Sequence, residues 1–172
     1  KSKAYSGGGY TCSDGPYDYW KYGTSSARKP IDFLEGHTFV TCLRREGARW
    51  RFQMIPFGLD NSSFELSLEK GRSNAERLND LLRETFVFQV QNAFIIKPFW
   101  LSSEDNYLAD DLSRDRETEF LRKVLASGFL EEGRVPQRRE RSGGILTLEA
   151  ATGGGLSGLV RHSTSVGIFN PN

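Results

Sequence analysis

Three carboxylates stand where a strand ends or a helix begins, and their chemistry suits metal-assisted hydrolysis. Glu35 lies near the start of an expected helix, Asp60 closes an expected strand just before a helix cap, and Asp110 lies in the first turns of a late helix. In α/β folds, functional groups gather at strand ends and helix starts along one sheet edge. Three carboxylates converging there repel one another, and bound cations offset that repulsion. Mg2+ binds a few carboxylates, keeps waters and takes its remaining ligands from substrate phosphates. Two such ions about 4 Å apart can activate a water and stabilise the leaving oxygen of a phosphodiester. This chemistry needs no histidine or cysteine, and the chain has only two of each. A plainer reading stands beside it. Acids near helix starts are favoured by the helix dipole, and Asp110 can pair with Arg114 at i,i+4 as a solvated bridge.

The elements that must position these acids follow from periodicity. Gly8–Cys12 and Tyr17–Tyr22 are β-prone aromatic runs separated by the turn signal SDGP, which predicts a hairpin. Ser2–Tyr5 has the character of the end of another strand. In PIDFLEGHTFVTCLRR, Pro30 suits a first helical turn, and Ile31, Leu34, Phe39 and Leu43 recur near helical spacing. Gly36 interrupts that helix at a cost of about 1 kcal/mol relative to Ala. RWRFQMIPFGLD alternates through Trp50, Phe52 and Met54, predicting a strand that ends at Asp60, with Pro56 hinting at an edge or bend. A short helix follows, capped by Asn61 or Ser62 and closed by Gly71. Ser73 and Glu76 form a capping-box pattern for a longer helix with Leu78, Leu81 and Leu82 on its stripe. AFIIKPFWLSS predicts a strand through Ile96, interrupted at Pro98. Helices are expected around Leu108 and Leu112 and over Arg116–Leu130. From Val135 onward a basic linker and a loosely ordered Gly-rich tail are expected. This order predicts an α/β fold with a mixed sheet.

Composition narrows the class. The chain has 172 residues, 37% apolar and 26% charged, with net charge +1. That is one globular core, with no strongly basic tail and no apolar run long enough to span a membrane. Cys12 and Cys42 give neither a disulfide framework nor a zinc pattern, and two reduced thiols in an intracellular protein, cytoplasmic or nuclear, are expected. The sequence opens on Lys1 rather than Met, which suggests a segment of a longer polypeptide or a trimmed form.

Arg44, Arg45, Arg49 and Arg51 surround Trp50, a grouping that can grip phosphates and stack on a base, or that can be a solvated helix end with Trp50 in the core. Lys70, Arg72 and Ser73, beside Gly71, suit phosphate contact at a helix start. Asn61 and Ser73 can hydrogen-bond a nucleic-acid strand, although capping explains them more simply. His37, near Glu35, can assist proton transfer or lie on the surface. Gly153, Gly155 and Gly158 spell G-x-G-x-x-G without room for a βαβ unit, so a dinucleotide site is not expected.

Taken together, the motifs resemble a known family. LSSEDNYLADDLSR resembles the ending of ribonuclease H domains attached to retroelement reverse transcriptases, where N-x-x-A-D-x-L-S-R is common; Asn106, Ala109, Asp110, Leu112, Ser113 and Arg114 match it. FGLDNSSFELSLEKGRS is similar to that family's strand-end Asp-Asn and following helix, through Asp60, Asn61, Ser62 and Ser63. PIDFLEGHTFV is similar to its first helix, with the acid at Glu35. In texture the chain is nearest to the DIRS-type retrotransposons or related LTR elements. The resemblance implies a ribonuclease H-like α/β fold, with antiparallel early strands, parallel later strands and helices on both faces, over residues 1–116. It implies a C-terminal helix over 117–134 and a linker and tail over 135–172.

It further implies an endonuclease that cleaves the RNA strand of an RNA–DNA hybrid with Mg2+, or with Mn2+ as substitute. Asp60 and Asp110 would hold metal, and Glu35 would hold metal and orient water. The implied partners are the hybrid and a neighbouring reverse transcriptase domain, with no membrane and no small-molecule cofactor. One departure stands out. The family's first Asp, just before a glycine-rich turn, corresponds here to Lys3, and a protonated ammonium is no metal ligand. Asp14 is the nearest acid in sequence, although the hairpin turn is its expected place. An inactive domain of the same fold, which binds nucleic acid or bridges neighbours, is the alternative.

Overall fold

The computed structural model describes residues 7–25, 29–139 and the backbone of 164–168. The elements are β1 (Gly7–Cys12), β2 (Pro16–Lys21), α1 (Ile31–Glu46), β3 (Met54–Leu59), α2 (Ser62–Lys70), α3 (Glu76–Asn92), β4 (Ile95–Trp100), α4 (Tyr107–Ser113), α5 (Glu117–Ser127), β5 (Gln137–Arg138) and β6 (Thr164–Ile168). The six strands form one mixed sheet in the order β4-β3-β6-β1-β2-β5. β1 and β2 are the expected antiparallel hairpin, and β3 and β4 run parallel.

The pleat of β1 assigns the layers. A Cβ on Gly8 would meet Thr38 of α1, whereas one on the next residue, Gly9, would meet Leu112 of α4. Successive strand residues point to opposite faces, so α1 and α4 lie on opposite sides of the sheet. On the α1 side, Tyr10, Trp20, Phe39, Phe57, Leu59, Phe64 and Leu81 belong to the larger apolar cluster. On the other side, Tyr17, Tyr19, Leu108, Leu112, Phe120 and Val124 form a smaller one.

Gly36 has a packing role that outweighs its helix propensity. A Cβ there would lie 2.8 Å from Leu81 and 2.9 Å from Phe64, so its absence lets α2 and α3 close onto α1. Asn61 caps α2 as expected, its Oδ1 accepting from the Phe64 N–H at 3.0 Å, and Gly71 ends that helix in the left-handed region.

Several expectations are corrected. Trp50 belongs to a short 3-10 turn, Gly47–Trp50, and not to a strand. β3 begins only at Met54, and its buried side is Ile55, Phe57 and Leu59, the opposite phase from Phe52 and Met54. The cause is Phe52, whose backbone is left-handed (φ 61°) and whose side chain is exposed, so the alternation there does not belong to a pleat. The capping box at Ser73 does not form, because the helix starts three residues later; the Ser73 Oγ accepts from the Ala75 N–H instead. Pro98 does not interrupt β4, because β4 is the sheet's outer strand and one of its sides needs no partner.

Gln137–Arg138 and Thr164–Ile168 join the sheet, where a loosely ordered tail was expected. Lys3, the strand end at Ser2–Tyr5 and the glycines from Gly153 to Gly158 lie outside the described residues. Among the described residues no helix is long and apolar enough to cross a membrane.

Candidate active site

Glu35 sits in the second turn of α1, and Asp60 follows directly on the C-terminal end of β3. The sequence forces both placements. Pro30 precedes the first turn of α1, and Asn61 begins α2 immediately after Asp60. Glu35 is 7% exposed. Burial first, and then the charge of Asp60, push its carboxyl up to about 8. The side chain of Asn61 hydrogen-bonds to Glu35 and partly opposes that rise. Even so, Oε2 of Glu35 is buried without a hydrogen-bond partner. An acid with one orphaned oxygen beside a second acid is a place where a cation or a proton lowers the free energy.

Asp110 is held differently. Its Oδ1 accepts from the Arg114 Nε at 2.7 Å and its Oδ2 from an Arg116 nitrogen at 3.0 Å. The i,i+4 bridge expected of a solvated acid is therefore formed. Its neighbour Asp111 is fully buried and paired with Arg116 and Lys123, each at 2.7 Å. Among the described residues, no group of three or more His, Cys, Asp or Glu is placed to hold a metal ion. Of the three sequence candidates, the structure pairs Glu35 with Asp60 and engages Asp110 with arginines.

Asp14 lies away from the acid pair. It lies in the β1–β2 turn and pairs with Arg49 at 2.6 Å, and Arg49 also bonds Glu46 at the far end of α1. Glu35 and Glu46 are separated by about 16 Å of helix at 1.5 Å per residue. His37 is buried, and its Nδ1 lies 3.3 Å from the Tyr22 hydroxyl. Burial, with a smaller contribution from Arg44, lowers its pKa to about 4, so it is neutral at pH 7. It is neither a surface residue nor part of the acid pair.

The basic cluster also resolves mostly into structure. Trp50 is buried and packs edge-on against Phe94, with ring centres 5.5 Å apart, so it is not presented to a base. Arg44 pairs with Glu84, Arg45 with the buried Asp18, and Arg49 with Asp14 and Glu46. Arg51 is exposed, its guanidinium 5.5 Å from the Phe52 ring centre. Lys70 and Arg72 are exposed on the α2–α3 connection, whereas Ser73 is engaged locally with Ala75 and Asn79.

Sequence reading missed a fully buried carboxylate. Glu46 is fully buried and accepts from the Tyr10 hydroxyl, from Arg49 and, through both oxygens, from Arg139 at 2.5 and 2.7 Å. Burial alone would raise its pKa, but the hydrogen bonds from Arg139 and Tyr10 hold it below the usual value. Its position three residues beyond Leu43, on the apolar face of α1, was the available signal. Compared with known proteins, the chain matches no family model, no curated protein and no solved structure.

Proposed function

We propose that this chain is a ribonuclease H-like domain of a retroelement polyprotein, which hydrolyses the RNA strand of an RNA–DNA hybrid with the help of Mg2+ or Mn2+. The observation that carries the reading is the pair Glu35 and Asp60, with a buried, unpartnered carboxylate oxygen between a helix start and a strand end. The mixed sheet, with an antiparallel hairpin first and parallel β3 and β4 later, and helices on both faces, supports the same fold family.

The donor set fits a hard divalent cation, since both groups are carboxylates and one oxygen lacks any other partner. Glu35 and Asp60 would hold the ion, which when bound supplies charge neutralisation at a phosphodiester and a more acidic water. The chain's own contribution is positional. Asn61 fixes the Glu35 carboxyl through its side chain while capping α2, so one residue ties the strand end to the acid. Glu35 is protonated over much of the neutral range when nothing binds it, and a cation drives that proton off. Lys70 and Arg72, exposed on the α2–α3 connection, would meet the phosphates of the hybrid, whereas Arg51 is exposed before the start of β3, at the opposite end of that strand from Asp60.

One observation favours the second reading, an inactive domain that binds nucleic acid or bridges neighbouring domains. Both oxygens of Asp110 are engaged by Arg114 and Arg116, and among the described residues no third acid joins Glu35 and Asp60 in a metal-holding group. Cleavage of a labelled hybrid with Mg2+ or Mn2+ decides between them. Cleavage that disappears in Asp60→Asn supports the nuclease. A parent that binds the hybrid without cleaving it, alongside an Arg116→Ala variant equally inert, supports the binding module.

A further inference from the structure

The centre of the sheet is filled by its most distant strand. β1 and β3 do not pair with each other; β6 lies between them, parallel to β1 from Gly8↔Thr164 to Cys12↔Ile168 and antiparallel to β3 from Phe57↔Ile168 to Leu59↔Val166. α1 and α4 both contact it, from opposite faces. Without β6 the sheet falls into the β1–β2 hairpin with its two-residue β5 edge and the separate β3–β4 pair. Each would carry an unpaired inner edge in the middle of the protein. Small ladders of that kind are marginal alone, and unpaired inner edges are templates for another strand.

Nothing in the chain's connectivity obliges the occupant to be its own. β5 and β6 are three positions apart in the sheet, a distance of about 14 Å at the usual strand spacing. The intervening residues 140–163 can span up to about 80 Å when extended. Glycines recur along the strands involved. Gly7, Gly8 and Gly9 stand in β1, Gly58 in β3 and Gly167 in β6, with Gly167 paired to Gly58. Gly-rich pairings are those most open to alternative partners and strand exchange. The entering end of β6 lies at the same end of the sheet as Asp60, because Val166 pairs with Leu59 and the two strands run in opposite directions.

We propose that the position between β1 and β3 is a strand-receiving site, and that it accepts Thr164–Ile168 from a second copy of this chain in place of its own. The ligand is an extended peptide held chiefly by main-chain hydrogen bonds to both neighbours. An exchanged strand also brings the partner copy's backbone to the end of the sheet where Glu35 and Asp60 meet. The proposal is independent of the nuclease reading.

The chain's own strand competes at an effective concentration of about 1 mM, so exchange becomes substantial as protein concentration approaches that value. The test is light scattering on the full chain after prolonged incubation near that concentration, with and without excess synthetic peptide HSTSVGIFN, residues 162–170. The expected result is a dimer that the peptide converts to monomer and that a scrambled peptide leaves intact. Val166→Pro, which breaks the strand, should abolish the dimer where it folds. A chain monomeric throughout, or a dimer indifferent to the peptide, overturns the proposal, and the peptide arm holds even if the proline variant does not fold.

Discussion

The Glu35 carboxyl at the start of α1 is raised by burial and by the neighbouring charge of Asp60 at the end of β3. This coupling has a direct consequence for stability. The Glu35 pKa is about 8 in the folded protein against an ordinary value of 4.5, so the folded state binds more protons between those values. Stability linked to Glu35 is therefore full below the lower value and lost as pH rises through the higher one. Relative to Glu35→Gln, the parent should lose up to about 4 kcal/mol between about pH 5 and pH 8. Urea unfolding of both proteins across that range checks it. Adding Mg2+ should flatten the parent's slope and leave the variant's unchanged; parallel curves for the two proteins would contradict the assignment.

His37 shifts the other way. Burial lowers its pKa to about 4, so its contribution is present above the ordinary value of 6.5 and is lost as pH falls through about 4. The chain has only two histidines, so their ring signals can be told apart by substituting His162. A proton NMR titration should find the His37 ring unchanged from pH 8 down to about pH 5. A midpoint near 6.5 would mean that His37 is solvated and that its contact with Tyr22 is absent.

Gly36→Ala should destabilise, although alanine is the better helix former. The added methyl would lie within 3 Å of Leu81 and Phe64, both packed in the core. Overpacking of this kind costs about 1–3 kcal/mol, more than the helix-propensity gain of up to about 1 kcal/mol. Urea denaturation should therefore show a lower midpoint with little change in slope. A stabilised variant would mean that α2 and α3 do not close onto α1 at this point.

Glu46→Ala should be among the most damaging single changes. It leaves the Tyr10 hydroxyl without its acceptor and strips Arg49 and Arg139 of their buried partner. Breaking one side of a buried charge pair costs about 3–5 kcal/mol. Arg139→Ala should cost less, because Arg49 and Tyr10 remain on the carboxylate. Thermal unfolding of both variants should rank them in that order, and equal losses would show that Arg139 supplies the whole effect.

The features set by local rules were legible. The Asn61 cap, the Gly71 stop and the β1–β2 turn are each specified by residues within a few positions of one another. Non-local choices were not legible. Nothing near Thr164 announces that this segment will lie between β1 and β3, since strand pairing is decided by partners far away in the chain. Phe52 misled the phase of β3 because an exposed aromatic in left-handed backbone imitates strand alternation. At the site, Glu35 and Asp60 were found from their places at element ends. The arginine grip on Asp110 was half visible, as the i,i+4 spacing to Arg114, while the reach of Arg116 depends on how the chain turns after α4.

The central claim is that Glu35 and Asp60 together form a site for a divalent cation. Mn2+ binding, followed by the loss of the free-ion electron paramagnetic resonance signal, measures this without requiring catalysis. The parent should bind Mn2+, and Glu35→Gln and Asp60→Asn should each weaken binding at least about tenfold, while Asp14→Asn leaves it unchanged. Binding that is absent in the parent, or that survives both substitutions, would contradict it.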